Sequence, residues 1–416
     1  MIFSKISKIP LHNIKLYIII HGILLFVLRP YLTFTKGENV ITGKIITSYY
    51  NLSFLIGIFA FFLMLYMVRN IKSESQISSF TESVSTISIK RFLYVFSFWF
   101  FIYLLLNFNR FGNGFVELLL QPQSEFIHSN SNFISNSITG IYPVFILASF
   151  SINATKRKKN IILIFLILLA IPIGMISGSK TLIINPLLLL LFRYSALKKG
   201  VSFTFILIFL LIGLPVFASL EVIRHEGLVG IFAYISNNDF FNLENILVFA
   251  TNRFYGTDIL YSIIYYHEYS ANAYLFGSSL LGIIFFIIPR FLWEEKPIIS
   301  FGKIVSENYL GNDFWSTGIS AAPTWIGELF ANFGLFSLPI YILSMFLIVK
   351  YIKSCFKLKT PPWKKIYYFP IAFTTLSFFQ EASIAGWILQ LIVFSILCFL
   401  FSIMFHGLKN SLKIEI

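Results

Sequence analysis

Three arginines are the residues best suited to bind a charged ligand. Arg224, Arg253 and Arg290 lie in the stretch from Glu221 to Pro323, and each follows or adjoins an apolar run. A guanidinium binds phosphate oxygens through two parallel hydrogen bonds and keeps its charge at any relevant pH. We therefore expect at least one of them to bind a phosphate-bearing ligand. The alternative for each is a structural ion pair with a nearby carboxylate: Glu221, Glu226, Asp258 or Glu294.

Lys180 is a further candidate for binding an anion. It lies in the tight turn Ser177–Thr181, which reads SGSKT. The glycine and serines of such a turn would leave backbone N–H groups free beside the ammonium, as in a phosphate or carboxylate cradle. The alternative is a lysine that snorkels to the membrane interface.

Two residues are candidates for a general base. Glu328 lies near the start of an apolar run in Trp325–Gly334, and ionisable groups at membrane depth are costly and usually face a polar interior. Its alternative role is an ion pair with one of the arginines. His225 is the second candidate, with an ordinary loop histidine as the alternative.

No metal or cofactor is expected from the sequence. It has no paired histidines at helical spacing, no cysteine cluster and no Asp-x-Asp motif. It also lacks a P-loop and a Gly-x-Gly-x-x-Gly motif, so energy from cytoplasmic nucleotides is not expected.

Composition places these residues in a membrane protein. Hydrophobic residues make up 57% of the chain and charged residues 12%, and the mean hydropathy is +0.80. Repeated apolar runs of about 18 or more residues are stable as lipid-exposed helices. We predict an all-α polytopic membrane protein of about ten transmembrane helices. The predicted spans are approximately 14 to 33, 45 to 68, 91 to 109, 133 to 152, 161 to 177, 181 to 196, 202 to 220, 325 to 349, 366 to 381 and 384 to 406.

Lysine and arginine concentrate in every second loop, and positive residues are retained on the cytoplasmic side. On this basis both termini are cytoplasmic, and the inner segments hold 22 of the 32 Lys and Arg residues but three of the 18 acids. The outer segments hold the other 10 basic and 15 acidic residues, so the net charge of +14 divides into +19 inside and −5 outside. Basic loops facing anionic membrane lipids explain the charge, so no nucleic acid partner is expected.

The same alternation divides the chain into a bundle of seven spans (1–220), an extracytoplasmic catalytic loop region (221–324) and a bundle of three spans (325–416). Within the loop region, the apolar run Leu275–Pro289 is too short to cross a core of about 30 Å comfortably. We predict a re-entrant or interfacial helix, which requires protein or a watery cavity around its broken backbone. Neither Cys355 nor Cys398 lies in this region, so its order must come from packing onto the bundle and bilayer.

A set of residues in the late part of the chain carries a family resemblance: Pro289, Arg290, Trp293, Lys296, Pro297, Ile326–Glu328 and Asn332–Gly334. In these residues the chain resembles the oligosaccharide repeat-unit polymerases, the Wzy-type O-antigen and capsule polymerases. The predicted topology, ten or more spans with a large external loop late in the chain, is similar as well. Many relatives look to have Ser-Arg where this chain has Ser179-Lys180, which keeps the charge but loses the guanidinium fork.

This resemblance implies a GT-C-like glycosyltransferase of the bacterial inner membrane, with its active site on the periplasmic or outer face. Such an enzyme transfers a growing glycan from one undecaprenyl diphosphate to the non-reducing sugar of a lipid-linked repeat unit. The implied partners are undecaprenyl-diphosphate-linked glycans, a chain-length regulator and a flippase.

The resemblance also implies a role for each candidate residue. Arg290 and Arg253 would stabilise the developing diphosphate charge, and Glu328 or His225 would accept the proton. The residues assigned to diphosphate and glycan binding are Arg224, Lys180, Lys296 and Trp293. Trp293 would stack on a sugar face, although interfacial anchoring is the commoner use of tryptophan.

Two other functions are the alternatives. An O-antigen ligase or related glycan transferase would share the donor and the arginines but use another acceptor. A flippase or other transporter of lipid-linked oligosaccharides would have about twelve spans, repeat symmetry and a central cationic cavity. The sequence shows no internal repeat.

Overall fold

The computed structural model describes residues 22–36, 48–69, 87–107, 138, 140–177, 186–187, 189–191, 201–202, 256–269, 274–285, 293, 301–309, 324–355 and 384–406. Within this part of the chain 90% of the residues are helical, which agrees with the predicted all-α class. The remaining described residues include turns and a parallel ladder of two strands with two residues each.

The helices and strands have the following bounds. A π-helical turn (Leu24–Leu28) leads into α1 (Arg29–Lys36), which is followed by α2 (Ser48–Val68), β1 (Ile87–Ser88), α3 (Ile89–Leu106), α4 (Tyr142–Phe150), β2 (Ile152–Asn153), α5 (Lys156–Ser177) and α6 (Gly256–Tyr269). The 3₁₀ turn Ser278–Leu281 precedes α7 (Gly282–Phe285), and α8 (Phe301–Ile304) continues into a π-helical turn (Val305–Tyr309). The chain then forms α9 (Trp325–Phe333), a 3₁₀ turn (Gly334–Phe336), α10 (Ser337–Cys355) and α11 (Ile384–His406).

Three apolar helical segments are long enough to cross a membrane. Among the described residues these are Tyr49–Met67, Ile89–Leu106 and Trp325–Ile348, and Leu391–Phe405 is a shorter apolar helix. All four overlap spans predicted from the sequence, although Ile89–Leu106 begins two residues before the predicted span 91 to 109. The structure thus supports the membrane character of the chain, whereas the number of ten spans and their orientation stay predictions.

An aromatic core joins α3, α4 and α11. The ring of Phe145 on α4 lies 5.2 Å from Phe96 and 5.4 Å from Phe401. At one end of these helices, β1 pairs with β2 through Ile87 and Ile152. The helices therefore meet at a common end, with the start of α3 beside the end of α4.

The helix α6 packs inside the bundle although it belongs to the predicted extracytoplasmic loop region. It contacts α2 and α9, and its residues from Gly256 to Ile264 are buried. Thr257 lies beside Gly57 in the middle of α2, whereas Tyr261 lies beside Tyr50 near its start, so α6 runs antiparallel to α2. Packing onto the bundle thus orders this part of the loop region.

The predicted span 325 to 349 is two helices. Gly334 ends α9 with a positive φ of +57°, a conformation that glycine adopts without steric cost. After the 3₁₀ turn, α10 begins at Ser337 and contacts α9. The nine residues of α9 extend about 14 Å and the nineteen of α10 about 28 Å, so the apolar segment Trp325–Ile348 has spanning length but is interrupted at Gly334.

The predicted short helix at Leu275–Pro289 is formed in part. Residues Ser278–Leu281 are a 3₁₀ turn and Gly282–Phe285 are one α-helical turn, and both contact α11. Residues 286–289 lie outside the described part of the chain. Re-entry into a membrane stays a prediction.

Candidate functional site

Glu328 lies in the first turn of α9, whose residues from Trp325 to Asn332 are all buried. The hydroxyl of Thr324 caps this helix by accepting a hydrogen bond from the amide of Gly327 at 3.2 Å. Each carboxylate oxygen of Glu328 also has a donor. The Ser279 hydroxyl donates to Oε1 at 2.8 Å, and the Ile384 amide donates to Oε2 at 2.5 Å. The carboxylate thus connects α9, the 3₁₀ turn and the start of α11.

Asn332 lies one helical turn after Glu328 and extends the same network. Its Nδ2 donates to Ser279 Oγ at 2.9 Å and to the carbonyl oxygen of Glu328 at 2.7 Å, while its Oδ1 accepts from the amide of Gly277 at 2.8 Å. We call Glu328, Asn332 and Ser279, with the amides of Gly277 and Ile384, the Glu328 network. It fixes the segment after residue 274 against α9.

The Glu328 network gives the carboxylate a structural role and leaves some acceptor capacity. Two carboxylate oxygens offer about four acceptor positions, so a further donor could bind beside Ser279 and Ile384. The partners that the structure shows are a hydroxyl and a backbone amide. The ion pair considered as the alternative role for Glu328 would have to come from Arg224, Arg253 or Arg290, which lie outside the described residues.

A second buried polar cluster lies between α1, α2 and α6. Arg29 Nε donates to Asp258 Oδ2 at 2.9 Å, and the hydroxyls of Thr33 and Tyr50 donate to Oδ1 at 3.0 and 2.7 Å. All four residues are buried. The sequence analysis places Asp258 among the possible partners of the three loop arginines, which lie outside the described residues, and the structure pairs it with Arg29 of α1. Removing either charge would leave the other uncompensated in the interior.

An aromatic cluster lies at the far end of α6. The ring of His267 stacks on Tyr274, with centroids 4.6 Å apart and an interplanar angle of 28°, and its Nε2 lies 3.4 Å from the hydroxyl of Tyr309. Burial raises the pKa of Tyr309, and the neighbouring Tyr266 raises it further. The Tyr309 phenol therefore stays protonated at neutral pH and can donate to His267 when the imidazole carries its proton on Nδ1.

The structure describes two of the eight residues predicted to form the site. Glu328 belongs to the network above. Trp293 is half-buried, and its ring makes an edge contact with Phe285 at 5.3 Å. The contacts described for Glu328 and for Trp293 have no residue in common. The predicted residues outside the described part of the chain are Arg290, Arg253, His225, Arg224, Lys180 and Lys296.

Several partners of these groups were not identified from the sequence as site residues. Asn332 carried a detectable signal, because it follows Glu328 by four residues and therefore shares its helix face. The sequence gives no such signal for Ser279 or Arg29, because their contacts with Glu328 and Asp258 are made across 49 and 229 positions of the chain.

Among the described residues, no group of three or more His, Cys, Asp or Glu side chains could hold a metal ion. Comparison of the chain with protein-family models, with curated proteins and with solved structures found no match. Any assignment of function therefore depends on the residues themselves and on the resemblance noted in the sequence.

Proposed function

We propose that the chain is a glycosyltransferase that polymerises undecaprenyl-diphosphate-linked oligosaccharide repeat units at the outer face of the bacterial inner membrane. The observation that carries the proposal is the local structure of the segment in which the resemblance lies. Its helix, α9, is short and buried, and its carboxylate and amide organise the neighbouring turn. Ionisable groups buried in a membrane bundle are costly and mark functional sites by default.

The proposed reaction is a substitution at an anomeric carbon. A hydroxyl oxygen on the non-reducing sugar of one repeat unit forms a bond to the anomeric carbon of the growing glycan. The bond between that carbon and the diphosphate breaks, and undecaprenyl diphosphate leaves with the electron pair. Arg290 and Arg253 would stabilise the charge that develops on the diphosphate.

The proton of the attacking hydroxyl must pass to a base, for which Glu328 and His225 are the candidates. Glu328 is fully buried, and both of its oxygens already accept hydrogen bonds. To act as the base it would have to accept the sugar hydroxyl at an acceptor position that Ser279 and Ile384 leave open. His225, the other candidate, lies outside the described residues.

A transporter of lipid-linked oligosaccharides is the second candidate. The observation that favours it is the pair of short helices α6 and α9, which start side by side within the bundle. A Cβ on Gly256 would overlap Cγ2 of Thr324, so Gly256 of α6 and the residue that caps α9 are in contact. Interrupted helices of this kind form the substrate sites of many secondary transporters. Elongation of lipid-linked repeat units by the purified protein would exclude transport as the sole activity, and transfer to a lipid A core acceptor would instead indicate a ligase.

The proposal is tested in a deletion strain complemented with Arg290→Ala or Arg253→Ala. Because loss of one group that stabilises transition-state charge costs about 10²–10³-fold in rate, we expect single repeat units in place of long glycan. Gel electrophoresis of the glycan gives chain length, and immunoblotting of membranes confirms insertion. Arg69→Ala is the matched control, since Arg69 lies against the Tyr66 ring at the start of a loop predicted to be cytoplasmic. Long glycan in either test variant would refute the assigned role.

A further inference from the structure

Two exposed aromatic side chains lie on the turn that the Glu328 network binds to α9. Tyr274 is 38% exposed and Phe276 is 76% exposed. Their ring centroids are 6.5 Å apart, and the ring planes are nearly perpendicular at 84°. The two rings therefore form a corner, which we call the aromatic corner.

The backbone of the aromatic corner is held in an unfavourable conformation. Phe276 has a φ of +45° and Gly277 a φ of +86°. Glycine adopts this region readily, whereas a bulky residue with a Cβ does so only when its surroundings impose it. Here the amides of Leu275 and Phe276 donate to the carbonyls of Ala331 and Asn332 at 3.0 and 3.2 Å. The Asn332 side chain holds Gly277 as well.

The side of Tyr274 that faces the protein is closely packed. His267 stacks on the ring, and a Cβ on Gly334 would lie 2.8 Å from its Cζ, so the absence of a side chain at Gly334 makes room for the ring. His267 is in turn positioned beside the buried Tyr309. The exposed part of the Tyr274 ring is thus presented in one fixed orientation.

The aromatic corner lies at the end of the bundle predicted to face outward. Since α6 runs antiparallel to α2, its last turn lies beyond the start of α2, whereas the basic loop predicted to be cytoplasmic follows the end of α2. Under the proposed function, the lipid-linked glycans are on this outer side.

We propose that the aromatic corner is a sugar-binding subsite, in which a pyranose ring of the lipid-linked glycan stacks on Tyr274 with Phe276 as a side wall. This inference rests on the proposed function. Fluid lipid chains gain nothing from a ring held in a fixed orientation, whereas backbone strain that the surroundings impose clusters at ligand clamps. A tyrosine ring has an apolar face for the C–H groups of a sugar and a hydroxyl for its polar edge.

The test is a titration of the purified full-length protein in lipid nanodiscs with the oligosaccharide released by mild acid from the host polysaccharide, followed by saturation-transfer NMR. We expect Tyr274→Ala to weaken binding about tenfold, because an aromatic contact of this kind contributes roughly one factor of ten. Tyr274→Phe, which keeps the ring, should stay within about twofold. Tyr94→Ala is the matched control, since Tyr94 is 76% exposed on α3 at the other end of the bundle.

A second variant separates binding from folding. Phe276→Gly removes the side wall but relieves the positive φ, so we expect a protein at least as stable as the wild type that binds the oligosaccharide several-fold more weakly. Unchanged binding by Tyr274→Ala and Phe276→Gly would refute the subsite, as would equal losses in Tyr274→Ala and Tyr94→Ala, which would indicate membrane anchoring.

Chain length in cells distinguishes the two proposals. If the wild-type gene restores long glycan and Tyr274→Ala does so equally well, the subsite is wrong and the polymerase proposal stands. If the wild-type gene has no effect on chain length, the polymerase proposal is wrong, and the oligosaccharide titration still decides whether the aromatic corner binds sugar.

Discussion

Glu328 connects three parts of the chain that are distant in sequence. Ser279 precedes it by 49 positions and Ile384 follows it by 56, and both donate to its carboxylate. A buried carboxylate is tolerated when donors replace the water that it has lost. Glu328 therefore stabilises the junction of α9, the 3₁₀ turn and α11, whichever residue accepts the proton in the reaction.

Replacement of Glu328 by glutamine and by alanine should have different effects on stability. The glutamine amide oxygen can accept from the Ile384 amide, and its N–H can donate to the Ser279 hydroxyl, which accepts as well as donates. We expect Glu328→Gln to change the free energy of unfolding by less than about 1 kcal/mol. Glu328→Ala leaves two buried donors without an acceptor and should cost about 2–5 kcal/mol. Denaturant-induced unfolding in mild detergent measures both.

Glu268→Gln and Glu268→Ala are the controls, because Glu268 is exposed at the end of α6. Neither should affect unfolding by more than about 0.5 kcal/mol. A Glu328→Ala protein as stable as the wild type would contradict the structural role of the network. Glycan chain length in the stable Glu328→Gln variant then decides between the two bases, since long glycan would leave His225 as the candidate.

The predictability of these residues from the sequence follows from how local their contacts are. A carboxylate inside an apolar run is conspicuous, so Glu328 was identified. The sequence does not predict the pairing of Asp258 with Arg29, because nothing in it distinguishes one arginine from another as a partner 229 positions away. The roles of the arginines outside the described residues stay predictions.

The helix α6 shows why hydropathy alone does not predict every helix that packs inside a bundle. Its fourteen residues include Asp258, His267 and Glu268, so it is too short and too polar for a predicted span. It is nevertheless buried over its first nine residues, because Arg29, Thr33 and Tyr50 satisfy the Asp258 carboxylate. Burial here depends on a tertiary contact, which a window of neighbouring residues does not contain.

For α9 and α10 the composition misleads in the opposite direction, because it predicts one span where the structure has two helices. The segment from Trp325 to Ile348 is one continuous apolar run, so its composition favours a single span. Gly334 interrupts the helix, yet a single glycine is tolerated in many membrane helices. The positive φ of Gly334 and the packing of Tyr274 against it depend on the tertiary structure, which the composition of the segment does not show.

Close contact between α6 and α9 should make Gly256 intolerant of a larger side chain. A Cβ at this position would overlap Cγ2 of Thr324, which is buried. We expect Gly256→Ala to lower the free energy of unfolding by about 1–3 kcal/mol, the usual cost of overpacking. Thermal unfolding monitored by circular dichroism in detergent is the measurement.

A compensating change at Thr324 tests whether this contact is the cause. Thr324→Ser removes Cγ2 but keeps the hydroxyl that caps α9, so the double variant Gly256→Ala/Thr324→Ser should recover part of the loss. Gly140→Ala is the control, because the nearest atom to its added Cβ would be 4.0 Å away. An additive loss in the double variant would show that the α6–α9 contact does not explain the effect.

The ends of the described helices lie at two levels along the bundle. Arg91 near the start of α3 donates to the carbonyl of Phe405 at the end of α11 at 3.1 Å, and Lys159 near the start of α5 donates to that of Phe150 at 3.2 Å. Glu328 meets the start of α11 at the other level. This arrangement accords with the predicted alternation of basic loops, because the basic residues at the starts of α3 and α5 lie at the same level among the described residues.

The orientation of this arrangement can be tested with single cysteines. Cys355 and Cys398 are replaced by serine and alanine, and a cysteine is introduced at Lys158 or at Glu268, both exposed and at opposite ends of the bundle. Because basic loops are retained in the cytoplasm, we expect a membrane-impermeant maleimide to label Glu268→Cys in spheroplasts and to label Lys158→Cys only after permeabilisation. Gel shift of the labelled protein is the measurement.

A cysteine at Asn312 extends this test into the predicted loop region and should behave like Glu268→Cys. Labelling of all three positions after permeabilisation controls for accessibility, since a buried thiol would stay unlabelled in both conditions. Labelling of Lys158→Cys in sealed spheroplasts would invert the assigned orientation. The aromatic corner and the proposed diphosphate arginines would then face the cytoplasm, where a polymerase of exported repeat units has no substrate, so this result would contradict the proposed function as well as the topology.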